Sequence, residues 1–366
     1  MSLDFNWTMY TGNLEWLPER TIYVTLHGSH AYGTSRPESD TDFRGIAVAP
    51  KDYYYGYLKT FEQCVQNEPV DLAIFEVRRF FHLAADANPN VLELLYTDPS
   101  DHRVVTPVMN KLFEIRDQFL SKKAKHTFSG YAAQQMKRIN THYKWLKNPP
   151  LAPPLRADYK LPERTLIPAD QLAAAQSAIQ KKLDSWAIDF IDTLSPDVRI
   201  AITNKMADHL AEVSTAMNTE AWVGAARCLG FDDNFIELLD MERRYGAKKR
   251  EWQQYQDWKT NRNPARAAIE ERFGYDCKHA SHLVRLLSMC REILTSGKVI
   301  VKRPDAEELR AIRAGSWSYE DLVAWAAAQD TELSELAASK ECLLPKEPNR
   351  VQLDRHCYEI VESSFT

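Results

Sequence analysis

The stretch from Thr21 to Pro50 constrains this chain more than any other. "TIYVTL" (21–26) is a short β-branched run, and "DFRGIAVAP" (42–50) is a second one closed by Pro50. Runs of this kind, bounded by Gly, Ser, Asp and Pro, read as two strands. Between them lies "HGSHAYGTSRPESD", rich in residues that favour turns. Ten residues separate Ser29 from the Asp40-Thr41-Asp42 triplet. On or entering a strand, residues i and i+2 face the same way, so Asp40 and Asp42 project together. Two carboxylates so close repel each other unless a cation lies between them. Oxygen-only ligands suit Mg²⁺, which takes further ligands from substrate phosphates. Gly28 and Ser29, at the strand end, can offer backbone N–H groups and a hydroxyl to those phosphates.

Other chemistries fit the same segment less well. Gly28 and Gly33 have the glycine spacing of a phosphate-binding P-loop, but Thr34 stands where that motif needs lysine. Ser29 has His27 and His30 nearby, yet "HGSHA" does not match the G-x-S-x-G nucleophile elbow. A polar turn with no chemistry accounts for an isolated D-x-D, but less well for strand, Gly-Ser, gap, D-x-D and strand in one order.

The surroundings read as an α+β protein. "VDLAIFEV" (70–77) is a third strand, and the apolar spacing of Val77, Phe80, Phe81 and Ala84 predicts a helix that stops near Asn88-Pro89. "NVLELLY" follows as a short apolar helix. Beyond this, strand signals nearly vanish. Helices are expected near 126–148, 168–186, 197–215, 219–229, 232–260 and 264–296, the last bending at Gly274. Residues 149–162 hold five prolines and read as a stiff extended connector. The expected division is a small mixed-sheet domain at 1–110 and a larger, mainly helical domain at 111–366. The aromatic clusters "YYYGY" (53–57) and "WQQYQDW" (252–258) read as core packing.

The formal net charge of −5 leaves no global basic excess, so any nucleic-acid contact must be a local patch. The cysteines at 64, 228, 277, 290, 342 and 357 form no C-x-x-C pair, which disfavours a zinc module or a disulfide framework. With no signal-peptide pattern and no long apolar run, a cytoplasmic protein without a membrane segment is expected.

The segment "YVTLHGSHAYGTSRPESDTDFRG" resembles the DNA polymerase β-like nucleotidyltransferases. Their signature is a hydrophobic strand, Gly-Ser, a gap and Asp-x-Asp, with a third acid on a later strand. The variant here is similar to a branch of predicted, RNA-ligase-associated RNA-repair nucleotidyltransferases. "NPNVLELLY" (88–96) and "GYDCKHASHLVRLL" (274–287) look like that branch as well. The resemblance implies transfer of an NMP from an NTP to an acceptor hydroxyl with release of pyrophosphate. It implies two Mg²⁺ ions at Asp40, Asp42 and a third carboxylate. Asp71 stands at the matching position, and Glu76 is its competitor. Five residues apart on a strand, the two face opposite ways, so only one can join the site.

Gly28 and Ser29 would hold the pyrophosphate portion. Arg44 would touch phosphate or pair with the aspartates themselves, and Tyr32 would pack under the loop or stack on a base. Lys278, His282 and Arg285 fall on one helix face, opposite Leu283, Leu286 and Leu287. That face is either solvated by salt bridges or, as the resemblance favours for Lys278 and Arg285, turned towards the nucleotide. His279 and His282 have no matching third ligand for zinc. The implied acceptor is RNA or another nucleic acid. A protein hydroxyl, as in toxin-like relatives, and a non-catalytic nucleotide-binding module are the alternatives.

Overall fold

A computed structural model describes residues 4–192 and 217–365. Five strands form one mixed sheet: β1 (Thr21–His27), β2 (Asp42–Ala47), β3 (Gln63–Gln66), β4 (Asp71–Glu76) and β5 (His102–Val105). Their order is β3-β4-β2-β1-β5. Only β2 and β4 run parallel; the remaining neighbours are antiparallel.

The helices in chain order are α1 (Val77–Ala85), α2 (Pro107–Glu114) and α3 (Lys123–Lys147). Then come α4 (Ala169–Asp192), α5 (Met217–Cys228) and α6 (Asp233–Asn261). The last are α7 (Pro264–Phe273), α8 (Cys277–Ser296), α9 (Ala306–Arg313), α10 (Tyr319–Ala338) and α11 (Arg350–Ser363). The helix expected at 197–215 lies outside the described residues. The expected bend at Gly274 is a break between α7 and α8. Gly274 adopts φ +80, and Asp276 caps α8 by accepting a hydrogen bond from the His279 N–H at 3.1 Å.

These elements form two compact units. One joins residues 1–147 with 263–366, and the other is 148–262. In the first, helices from both sides of the Pro-rich segment share a core with the sheet, so this unit reaches well beyond residue 110. One sheet face packs Tyr23 and Ile46 against Phe80, Leu92, Phe119 and the apolar side of α8. The other packs Val24, Leu26, Phe43, Leu72 and Ile74 under Leu17 and the N-terminal aromatics. Burial on both faces explains why β1 is buried at every position and reads as a near-continuous β-branched run. At Gly45 a Cβ would overlap the Tyr23 carbonyl on the neighbouring strand, so only glycine lets β1 and β2 approach as they do.

The second unit packs Ile179, Trp222, Ile236 and Leu239 together. Arg156 donates to both oxygens of the buried Glu242, and Thr165 donates to the same carboxylate. The aromatic clusters part company. Tyr255 is buried, whereas Tyr55 and Tyr57 are exposed, which corrects the expectation that "YYYGY" packs as core. Tyr53 and Tyr54 turn inward, Tyr53 accepting from Trp16 Nε1 at 3.1 Å and Tyr54 donating to Glu76 at 2.7 Å. Among the described residues no helix is long and apolar enough to cross a membrane.

Candidate active site

The Gly-Ser turn and the acids meet at one end of the sheet because of strand direction. β1 ends at His27, whose register partner on antiparallel β2 is Asp42. β2 begins at Asp42, and its partner on parallel β4 is Asp71, also the first residue of its strand. Gly28 follows directly, with φ +63, and opens a single helical turn, Gly28–Ala31. A Cβ at Gly28 would overlap the Asp42 carboxylate. Glycine is thus required twice over, by the positive φ and by the close approach of the acid.

Burial pushes the Asp42 carboxyl up to about 6. Arg44 opposes that rise, while a hydrogen bond and charge repulsion from Asp71, and repulsion from Asp40, add to it. Asp40, Asp42 and Asp71 therefore share one electrostatic neighbourhood. Asp40 is exposed in the loop just ahead of β2, Thr41 is buried, and Asp42 is half-buried, which keeps the alternation expected of the triplet. Arg44 donates from Nη1 to Asp71 Oδ1 at 2.9 Å and to the Phe43 carbonyl at 2.8 Å. Of the two roles open to Arg44, pairing with an aspartate is the one seen. Asp42 and Asp71 share a hydrogen bond, whereas Asp40 acts on Asp42 through charge alone and also faces Lys278 and Arg313, so Asp42 and Asp71 offer the paired carboxylate oxygens that suit a hard divalent cation.

Glu76 lies elsewhere. It pairs in register with Ala47 at the far end of β2 and caps α1 by accepting from the Arg79 N–H at 3.1 Å. Tyr54 and Arg78 also bind it.

Behind the turn is a buried charge network that the sequence reading passed over. Glu93 is fully buried and accepts from Arg285 Nη1 at 2.5 Å and from the Tyr32 hydroxyl at 2.6 Å. His27 Nε2 lies 3.6 Å from the same carboxylate. The Arg285 guanidinium sits 3.9 Å from the Tyr32 ring centroid. Burial would raise Glu93, but Arg285, His27 and Tyr32 together hold it down at about 2. Burial lowers His27 below its usual range, against the opposing pull of Glu93.

Arg285 was expected to meet the nucleotide; here it is buried and neutralised by Glu93. It lies on the wall of a cleft beside Ser29, but its charge is already matched. Tyr32 is buried, in the packing role. Lys278, two turns earlier on the same face of α8, is exposed. The signal for Glu93 was a lone acid inside "NVLELLY", since a charge in a buried turn needs a partner.

His279 and His142 approach Asp276, where Arg266 also binds, so this carboxylate lies far below its ordinary range. Ligand atoms of His142, Glu270 and Asp276 lie within 4.8 Å of one another. Arg266 ion-pairs with both acids, supplying the positive charge that a metal would bring.

The Gly-Ser turn and the aspartates thus meet at one end of a mixed sheet backed by helices. Residues 13–148 match the family model RlaP, described as the RNA repair pathway DNA polymerase beta family, which supports a polymerase β-like nucleotidyltransferase branch linked to RNA repair. The chain is 37% identical over 89 residues to an uncharacterized 38.9 kDa protein in the nrdC-mobD intergenic region of Enterobacteria phage T4. That match takes in 22% of this chain and 26% of the phage protein. It is 32% identical over 83 residues to the uncharacterized protein YcgL of Bacillus subtilis (strain 168), covering 22% of this chain and 31% of YcgL. The alignments span about a quarter to a third of these curated relatives. No solved structure matches.

Proposed function

We propose that this chain is a metal-dependent nucleotidyltransferase that moves an NMP from an NTP to a hydroxyl on RNA or another nucleic acid. The observation that carries the reading is the convergence of Gly28, Asp42 and Asp71 at one end of the sheet, with Asp40 beside them. The acceptor oxygen forms a bond to the α-phosphorus, the bond to the bridging oxygen breaks, and pyrophosphate leaves. Asp40, Asp42 and Asp71 hold Mg²⁺ in this reading. Mg²⁺ held there would supply positive charge to the attacking and leaving oxygens.

The chain's own groups supply the rest. Asp71, oriented by Arg44, takes the proton of the attacking hydroxyl. Ser29 and the N–H groups of its turn bind the departing phosphates. Gly28 leaves room for the Asp42 carboxylate against the turn. The RNA acceptor rests on the family match over residues 13–148.

Pyrophosphate release, followed with each NTP, Mg²⁺ and RNA, tests the reaction and its acceptor together. Release is expected with intact RNA and not with RNA whose 3′-terminal diol has been oxidised by periodate. Equal release with both would contradict a 3′-hydroxyl acceptor.

A further inference from the structure

The two stretches of the first unit, 1–147 and 263–366, meet at a cluster of metal-ligating side chains. His142 comes from the last turns of α3, Glu270 from α7, Asp276 from the cap of α8 and His279 from its first turn. The partner that His279 lacks along α8 thus comes from α3. Asp276 and Glu270 are buried, and the two imidazoles largely so. Asp276 Oδ1 is committed to the α8 cap, where it accepts from the His279 N–H at 3.1 Å. Its Oδ2 turns into the cluster, 3.0 Å from His142 Nδ1 and 2.8 Å from His279 Nδ1. Ligand atoms of Glu270, His142 and Asp276 all lie within 4.8 Å of one another.

These spacings are close to those of a filled site. With bonds of about 2.0–2.1 Å, the donors of a tetrahedral Zn²⁺ stand about 3.3 Å apart, so a small outward movement admits the ion. Two imidazoles and two carboxylates suit Zn²⁺ and its transition-metal neighbours, whereas the oxygen pair of Asp42 and Asp71 suits Mg²⁺. Protons alone serve the cluster poorly. His279 Nδ1 faces Asp276 Oδ2, an acceptor, and lies 2.6 Å from Arg266 Nη2, a donor. One imidazole nitrogen either donates or accepts, so it satisfies one neighbour at a time. A metal ion removes that conflict, because the nitrogens and the carboxylate oxygens then give lone pairs to one centre. Arg266 is the rival cation. It reaches the same atoms from α7, but its side chain is partly exposed and can turn to solvent when an ion takes its place.

We propose that His142, Glu270, Asp276 and His279 bind one transition-metal ion of the Zn²⁺ class. Four protein ligands leave no open position, which marks a structural ion rather than a catalytic one. The ion ties α3, the last helix before residues 148–262, to α7 and α8, the first two after them. A clip that closes so long a stretch of chain removes much of its loop entropy. The site does not depend on the nucleotidyltransferase reading.

Zn²⁺ titration of the chelator-stripped full chain, in excess Mg²⁺ and against a chromophoric chelator, tests the site. One tightly held Zn²⁺ per chain is expected, and Co²⁺ in its place should show the strong visible bands of tetrahedral coordination. His142→Gln and His279→Gln are each expected to weaken Zn²⁺ at least about a hundredfold, since outer partners alone are worth about 10–100-fold. Arg266→Gln is expected to tighten it several-fold by removing the rival charge. Both imidazoles reach the surface in part, so their variants keep the fold even where Asp276→Asn, which weakens the α8 cap, does not. Zn²⁺ should also raise the melting temperature of wild type and not of His142→Gln. Absence of tight Zn²⁺ binding by wild type, or wild-type affinity in folded His142→Gln and His279→Gln, overturns the proposal. Weaker binding by folded Arg266→Gln than by wild type overturns it too. Zn²⁺ that is lost with Asp42→Asn/Asp71→Asn but kept with His142→Gln belongs to the acids of the sheet and contradicts the proposal as well.

Discussion

Glu93→Ala removes one partner from the most deeply buried ion pair near the site. The Glu93 and Arg285 side chains are 0% and 5% exposed, and their contact is 2.5 Å. Removal leaves the Arg285 guanidinium inside the protein with no carboxylate, and the Tyr32 hydroxyl with no acceptor. Breaking a buried pair in this way costs about 3–5 kcal/mol. The Tyr32 ring still lies against the guanidinium, which recovers at most about 2 kcal/mol. The net expected loss is about 1–5 kcal/mol, or roughly 0.7 to 3.7 powers of ten in the local opening constant.

Native-state hydrogen exchange at β1 and α8 measures this loss inside the unit that holds the pair. The double variant Glu93→Leu/Arg285→Met should recover at least half of it, because no charge remains buried. Faster exchange in the double than in the single variant would refute the argument. So would a single-variant loss below about 1 kcal/mol, since the pair would then not be desolvated.

Glu93 sits at about 2 against an ordinary 4.5, so its stabilisation is complete above that ordinary value and is lost as pH falls towards 2. The difference corresponds to about 3 kcal/mol. Urea midpoints between pH 5 and 3 should therefore fall more steeply for wild type than for Glu93→Gln, and parallel pH profiles would contradict this. Gly28→Ala forces a Cβ into the Asp42 carboxylate at φ +63, so activity should fall at least a hundredfold with a loss of stability of about 1–2 kcal/mol. Steady-state assay and thermal melting of the same preparation separate the two effects. Gly45→Ala drives a Cβ into the Tyr23 backbone at the centre of the sheet and should cost about 3 kcal/mol or more, read as a lowered melting temperature.

The carboxylate end of the sheet was legible because it is local. Strand pairing brings Asp42 and Asp71 to the same end of the sheet, and five residues along β4 Glu76 lies at the other. Gly274 marked the break between α7 and α8 because a positive φ there asks for glycine. The edge strands were harder. β3 has only four residues with alternating exposure, and β5 is equally short, so neither gives a period long enough to read. Both exist through pairing with distant strands. The face of α8 was seen as cationic, but its division into an exposed Lys278 and a buried Arg285 was not. That difference is made by Glu93, 192 residues away in sequence, which covers one end of the face. Tyr55 and Tyr57 show the reverse error, since an aromatic cluster on a loop need not find a core.

The central claim is that Asp42 and Asp71 form one metal-dependent transfer site. Incubation of wild type and Asp42→Asn/Asp71→Asn with α-labelled NTPs, Mg²⁺ and total RNA tests it most directly. The account predicts label in RNA with wild type, reduced by several powers of ten in the variant and abolished by chelation of the metal. Equal labelling by the two proteins, or labelling that survives chelation, would contradict it.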